Sequence, residues 1–223
     1  MAAGTASGVH RLRMQLEAVT PMFVGGADPK GKPEVRAASL RGVLRYWFRA
    51  ALGGISGADL EFVRQREALL FGTSADRGSV SLLTVRARPP GVVTTWELAK
   101  DRDLGRSYLW WSMGMTGRKA VAPGTRVEVE LQVWPGAYRR PTEDDSRRDE
   151  GRPPHLANLP APGEVLSTGL LLLWLAGCLG GVGSRSRRSA GSFAVQLAAG
   201  GVPAGFPVRL QYTARTVDEA AQQ

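Results

Sequence analysis

Between Val165 and Val182 the chain runs for eighteen residues without a charge, and the centre of that run is Leu170-Leu171-Leu172-Leu173-Trp174-Leu175. Such a segment must hide from water, either in a bilayer or against other apolar surface. Its length is about the minimum for a membrane-spanning helix. Ser167, Thr168 and several glycines interrupt it, however, and no second segment of this kind occurs. The expectation is a buried helix over Glu164–Leu179 packed on a sheet, with no membrane partner. The sheet should then come from the remaining patterned segments.

Those segments have two periods. Leu12, Met14, Leu16 and Ala18 alternate with polar residues between Arg11 and Val19, which is the pattern of a half-buried strand. Val127, Val129, Leu131 and Val133 alternate in the same way with Glu128, Glu130 and Gln132 between Thr125 and Trp134. Ser79–Arg88, Phe193–Leu197 and Pro207–Thr213 read as further strands. A helix is expected from Ser39, a candidate N-cap, to Leu52. There Leu40, Val43, Leu44, Trp47, Phe48 and Ala51 share one face and Gly53-Gly54 follows. A shorter amphipathic segment spans Leu60–Leu70. The stretch 91–118 shows no period, and 137–163, rich in charge, Pro and Gly, reads as a flexible insertion. The order strand, helix, strand, strand, helix, strand is that of an α+β, ferredoxin-like (βαββαβ, RRM-like) fold with two helices on one face of an antiparallel sheet. One domain over residues 1–223, with insertions, is expected.

Charge narrows the partner. Lys+Arg number 29 against 20 Asp+Glu, a net charge of +9, and Arg far outnumbers Lys. That balance favours a polyanion, and guanidinium groups favour fixed, planar contacts with phosphate. The single cysteine, Cys178, excludes an internal disulfide and a cysteine-based zinc site; it is expected to be a buried, inert thiol. No signal-peptide pattern opens the sequence, so a cytoplasmic location is expected. No cofactor is implied.

Two places concentrate the positive charge. After the apolar run comes Gly180-Gly181-Val182-Gly183-Ser184-Arg185-Ser186-Arg187-Arg188, with a strand beginning at Phe193. Gly180, Gly181 and Gly183 can bring backbone N–H groups close to phosphates, Ser184 and Ser186 can donate to phosphate or 2′-OH groups, and Arg185, Arg187 and Arg188 neutralise charge. The second place is the first helix, where Arg41, Arg45 and Arg49 recur every four residues with Arg36 just upstream and no acidic residue between Arg36 and Arg49. A basic track is expected along that face. Tyr46 lies off the apolar face and can stack on a base; Tyr108, Trp110 and Trp111 can stack bases, dock a partner or join the core.

Two segments together resemble the RAMP superfamily of CRISPR effector proteins. One is Thr20-Pro21-Met22-Phe23-Val24-Gly25-Gly26 followed by Glu34-Val35-Arg36-Ala37-Ala38-Ser39-Leu40-Arg41-Gly42-Val43-Leu44-Arg45-Tyr46-Trp47-Phe48-Arg49-Ala50. This part is most similar to the first-numbered subunit of the type III-B, or Cmr, complex. The other is the glycine-rich loop from Gly180 to Phe193, which marks the superfamily as a whole. The resemblance implies a non-catalytic RNA-binding subunit of a ribonucleoprotein. Such a subunit holds CRISPR guide RNA, engages target RNA in antiviral defence and docks on other RAMP subunits. An alternative within the superfamily is a metal-independent endoribonuclease that processes guide RNA through a histidine. His10 and His155 both lie away from the matched segments. Asp28, in the loop after the first strand, has no paired base nearby in sequence, and Glu143-Asp144-Asp145 reads as a solvated run.

Overall fold

The computed structural model describes residues 8–134 and 159–197, apart from positions 27, 29, 75–79, 89 and 92. β1, His10–Ala18, is the centre of the sheet, and its even-numbered apolar residues point inward: Met14 and Leu16 are fully buried. It is flanked by β5, Arg126–Val133, on one side and by β6, Phe193–Leu197, on the other. β2, Leu83–Arg88, completes the sheet beyond β5, giving the antiparallel order β2-β5-β1-β6. Strand direction and order are those of the ferredoxin-like fold.

Helices α1, Ala37–Ile55, and α5, Pro162–Leu179, cover one face of this sheet. Leu40 and Leu44 of α1 meet Leu170 and Leu173 of α5 in the core formed with Met14, Val129 and Leu131. Full burial of side chains of this size contributes roughly 1.5–3 kcal/mol each. The apolar run is therefore a core helix: α5 is long and apolar enough to cross a membrane, yet Val165, Leu166, Leu172 and Ala176 are buried within the protein. Its start is fixed by Pro162 in the first turn and by the Glu164 carboxylate, which accepts the Ala161 N–H at 2.8 Å.

Helix α2, Leu60–Phe71, follows α1 directly, with Asp59 as N-cap accepting from the Phe62 N–H at 3.0 Å. Several expectations need correcting here. Ser39 is not the cap of α1. The helix begins two residues earlier behind Arg36, and Ser39 N–H donates to the Arg36 carbonyl. Gly53-Gly54 does not stop α1 either. The chain leaves the helix at Ser56, and Gly57 and Ala58 then take positive φ values of 64° and 65°. The run expected to be irregular, 91–118, is ordered. It holds β3, Thr95–Glu97, a 3-10 turn at Leu98–Lys100, α3, Leu104–Leu109, and α4, Trp111–Met115; β4, Lys119–Val121, then pairs with β3 in a second, two-stranded sheet. These elements are too short to show a period in sequence. Cys178 is exposed, not buried, because it lies on the outer side of the last turn of α5.

The outer side of β5 is also unlike its alternating pattern. Glu130 and Gln132 are 2% and 0% exposed. Their register partners on β1 are Arg13 and Arg11, and Arg13 Nε donates to Glu130 at 2.8 Å. Burial pushes the Glu130 carboxyl up, but hydrogen bonds from Gln132 and Arg13 and the charges of Arg13 and Arg11 outweigh it and hold the group below the ordinary glutamate value. A charged side chain can stay buried there because β1 delivers its counter-charge across the strand pair. The strand expected at Pro207–Thr213 and most of the insertion expected at 137–163 lie outside the described residues, although the last two residues of that insertion, Pro162 and Gly163, open α5.

Candidate nucleic-acid interface

The segment after β1 does not simply leave the sheet. Met22 forms a bridge with Val121 of β4, and Phe23 forms one with Ser184 of the glycine-rich loop. Ser184 N–H donates to the Phe23 carbonyl at 2.9 Å, and Gly191 N–H donates to the Pro21 carbonyl at 2.9 Å. Both sides of the 180–191 loop are thus sewn to the strand-end sequence that precedes α1.

Two glycines in this loop are required by that close approach. Gly191 has φ 76°, and a Cβ there would collide with the Val182 carbonyl oxygen. Gly183 has φ 98°, and a Cβ there would meet the Phe23 carbonyl oxygen at 2.6 Å. Only glycine satisfies both the positive φ and the close approach. The expectation that the glycines serve to admit phosphate is therefore amended: Gly181 and Gly183 first of all admit the neighbouring backbone, and Gly180 faces the indole of Trp47.

Between these anchors, Ser186–Arg188 form one 3-10 turn, bracketed by Arg185 and Ser189 in the left-handed region with φ 65° and 62°. Non-glycine residues at such φ are uncommon and persist only where the surroundings fix them. Here Arg185 is held by Ser112 of α4, whose Oγ accepts from its guanidinium, and the Trp110 indole Nε1 donates to the Arg188 carbonyl at 2.8 Å. Arg185 is half-buried, whereas the side chains of Arg187 and Arg188 are exposed. No ion pair to either is found among the described residues.

An open cleft of about 330 Å³ lies where these parts meet. Phe23, Val24, Gly25 and Gly26 line one side, Gly183 and Ser184 another, and Arg36 and Ser39 at the start of α1 a third. Arg118 closes it, donating to Ser184 Oγ at 3.1 Å. The first turn of α1 has no side-chain cap and no acidic residue of its own, so its N–H groups and dipole keep their pull on an anion. Backbone donors, the Arg36 guanidinium and the Ser184 hydroxyl suit a phosphate or ribose group. Among the described residues no cluster of three or more His, Cys, Asp or Glu exists that could hold a metal ion.

The arginine stripe of α1 behaves differently. The absence of acid between Arg36 and Arg49 predicted an uncompensated track, and this is corrected. Arg45 Nε and Arg49 Nη1 both donate to Glu67 Oε1 of α2, at 2.6 and 2.8 Å, and Arg41 donates to the Phe71 carbonyl. Glu67, only 6% exposed, cancels one of the charges and clamps α2 to α1. Of the four arginines expected to form the track, Arg36 joins the cleft and the other three face α2. Tyr46 is exposed with its ring edge-on to Trp47 at 5.6 Å, while Trp47 and Phe48 pack on the core. Asp28 accepts the Lys30 N–H at 2.9 Å within its own turn, His10 is half-buried at the start of β1, and His155 lies outside the described residues.

Arg118 is the residue that sequence reasoning missed. It stands 66 positions from Ser184, at the end of a stretch without period, and nothing local marks it.

The N-terminal side of this cleft, Phe23 to Ser39, falls within a stretch that matches a known family. Residues 15–113 match the RAMP superfamily. The chain is also 28% identical over 186 residues to the CRISPR system Cmr subunit Cmr1-1 of Pyrococcus furiosus, covering 81% of this chain and 46% of that protein. The chain is similar to RAMP superfamily proteins of the Cmr1 kind. A second relative from the same organism, the Cmr subunit Cmr1-2, is 43% identical over 65 residues, 29% of this chain and 34% of the relative. The crystal structure of Cmr1 from Pyrococcus furiosus in its apo form superposes with a TM-score of 0.65 at 24% identity, covering 94% of this chain and 55% of that one. The fold of that structure is thus shared by this chain. The chain spans about half or less of the length of the curated relatives it matches.

Proposed function

We propose that this protein is a RAMP-type, non-catalytic subunit of a type III-B CRISPR effector complex in the cytoplasm, binding guide RNA and engaging target RNA alongside other RAMP subunits. The observation that carries this reading is the meeting of residues 23–26, Arg36 and Ser39 with Gly183 and Ser184 in one cleft that has its own donors and cations, Arg36 and Arg118. A helix N-terminus, a hydroxyl and Arg36 hold a phosphate there, and Arg187 and Arg188 extend the positive surface beside it. The relatives named for the Cmr system support the assembly part of the proposal.

Titrating the purified chain into single-stranded RNA at several salt concentrations tests it. The expected result is binding whose logarithm falls linearly with log salt, with a smaller slope for Arg36→Ala/Arg187→Ala/Arg188→Ala. Equal slopes for the variant and the parent would remove the cleft and loop from the RNA path. Incubating the same RNA, in repeat sequence and without metal, should leave it intact; cutting lost on His10→Ala or His155→Ala would establish the processing endoribonuclease instead.

A further inference from the structure

Beside the basic loop the protein exposes aromatic surface that the cleft does not use. Tyr108, near the end of α3, is 80% exposed, and Trp111, the first residue of α4, is 63% exposed. Neither can retreat into the fold, because Trp110 between them occupies the inner place. It is 2% exposed and packs edge-on against Phe23 at 5.8 Å and Trp96 at 5.6 Å. The same residue ties this corner to the loop through its indole N–H and the Arg188 carbonyl, and the neighbouring Ser112 accepts from Arg185. The backbone that carries the two outward rings is therefore tied to the loop by hydrogen bonds at both Trp110 and Ser112.

The charge around the rings completes the picture. Between Glu97 and Lys119 there are five cations and three carboxylates, Glu97, Asp101 and Asp103. Arg106 engages both aspartates, at 2.5 and 3.6 Å, and Glu97 pairs with Lys100 and Lys119 at 3.5 and 3.9 Å, whereas Arg187 and Arg188 of the adjoining loop make no ion pair among the described residues. Exposed flat rings tied to a loop that carries unpaired arginines supply the two components of a sequence-tolerant single-strand site, in which bases stack while phosphates are neutralised alongside. A docking face for another protein would need no such unpaired arginines beside it.

We propose that Tyr108 and Trp111 form a base-stacking platform for unpaired nucleotides of the RNA whose backbone the 183–188 loop holds. This rests on the RNA-binding reading above and adds recognition of bases, where that reading had phosphate and ribose alone.

The experiment uses the full chain and two fluorescently labelled probes, a single-stranded RNA and the same strand made abasic at successive positions. Tyr108→Ala/Trp111→Ala is expected to weaken binding of the RNA by roughly tenfold per ring. The salt slope should stay unchanged, and affinity for the abasic strand should not move. Tyr108→Phe/Trp111→Phe should restore most of the loss, since a phenyl ring still stacks. If the parent binds RNA and the alanine variant binds it equally well, the platform is overturned while the RNA reading stands. If the parent binds no RNA, both fall. If the variant instead loses association with another subunit and keeps its RNA affinity, the patch is a protein-docking face and the proposal is wrong. Should the alanine variant fail to fold, Trp111→Phe alone decides. RNA-induced quenching of tryptophan fluorescence should shrink in that variant, and unchanged quenching overturns the platform.

Discussion

On α1, Arg45 and Arg49 converge on a single carboxylate supplied by the next helix, whereas in the 180–191 loop Arg187 and Arg188 stand in solvent on a turn that the rest of the protein holds rigid. In sequence the two regions look alike: three arginines each at short spacing, with no acid among them. Their difference comes from what lies across from them. Glu67 is near α1 in space because α2 folds back on it, and an ion pair of this kind consumes the very donors that a phosphate would need. Around the loop the engagement is of the backbone, through Phe23, Pro21 and Trp110, and not of the outer arginine side chains. A cationic cluster is thus available to a ligand when the chain's own hydrogen bonds go to its main chain.

The distinction is most exposed to test at the loop's backbone. Gly191→Ala should cost about 3 kcal/mol of stability, because the added methyl meets the Val182 carbonyl at a φ of 76°. Urea unfolding checks this; a loss under about 1 kcal/mol would mean that the loop is not held as described. The second test concerns the arginines themselves. Arg187→Ala/Arg188→Ala should weaken single-stranded RNA binding roughly tenfold and reduce the salt slope by about 0.7 for each phosphate no longer neutralised. Arg45→Ala/Arg49→Ala should leave that slope as it was. An equal effect of the two pairs would erase the distinction between the regions.

A third test removes the clamp. Glu67→Gln leaves two adjacent guanidinium groups without their counter-charge. It should lower stability by about 1–2 kcal/mol, a value moderated because Arg45 and Arg49 are themselves part-exposed. Thermal melting reads it. A simultaneous rise in RNA affinity would place the α1 face along the nucleic acid after all. The smallest effect concerns pH. The hydrogen bond from Arg106 holds the Asp101 carboxyl at about 2 despite some burial. A depressed carboxyl adds stability that is complete above its unfolded value, near 4, and is lost as pH falls toward about 2. Asp101→Asn should remove that acid-limb dependence in melts between those values, with α3 and α4 the first elements to respond.

How much of this is legible in the chain alone follows from where each cause lies. The strands β1 and β5 and the helices α1 and α5 announce themselves through periods in their own residues, and the sheet order follows from their sequence of types. The strand-end and helix-start motif also reads directly, because its residues are neighbours in the chain. What stays hidden depends on contacts between segments far apart. Glu67 meets Arg49 across 18 positions, Trp110 meets Arg188 across 78, and Arg118 meets Ser184 across 66. The short α3 and α4 owe their order to Trp110 packing under them, not to any pattern in Leu104–Met115. The glycines stand out in sequence for their freedom, but their task, letting two backbones touch, is visible only once both backbones are placed.

RRM-like architectures commonly lay RNA across the open face of the sheet, on aromatic residues of the central strands. Here the corresponding side of β5 offers a sealed carboxylate and amide, Glu130 and Gln132, in place of a ring on which a nucleobase could rest. Arg13 and Arg11 neutralise that carboxylate and lie over it, so along β1 and β5 this side shows guanidinium groups and no ring for stacking. In the proposed reading a nucleic-acid strand finds its rings at the rim, beside the held turn, its hydroxyls and its two arginines left unpaired among the described residues.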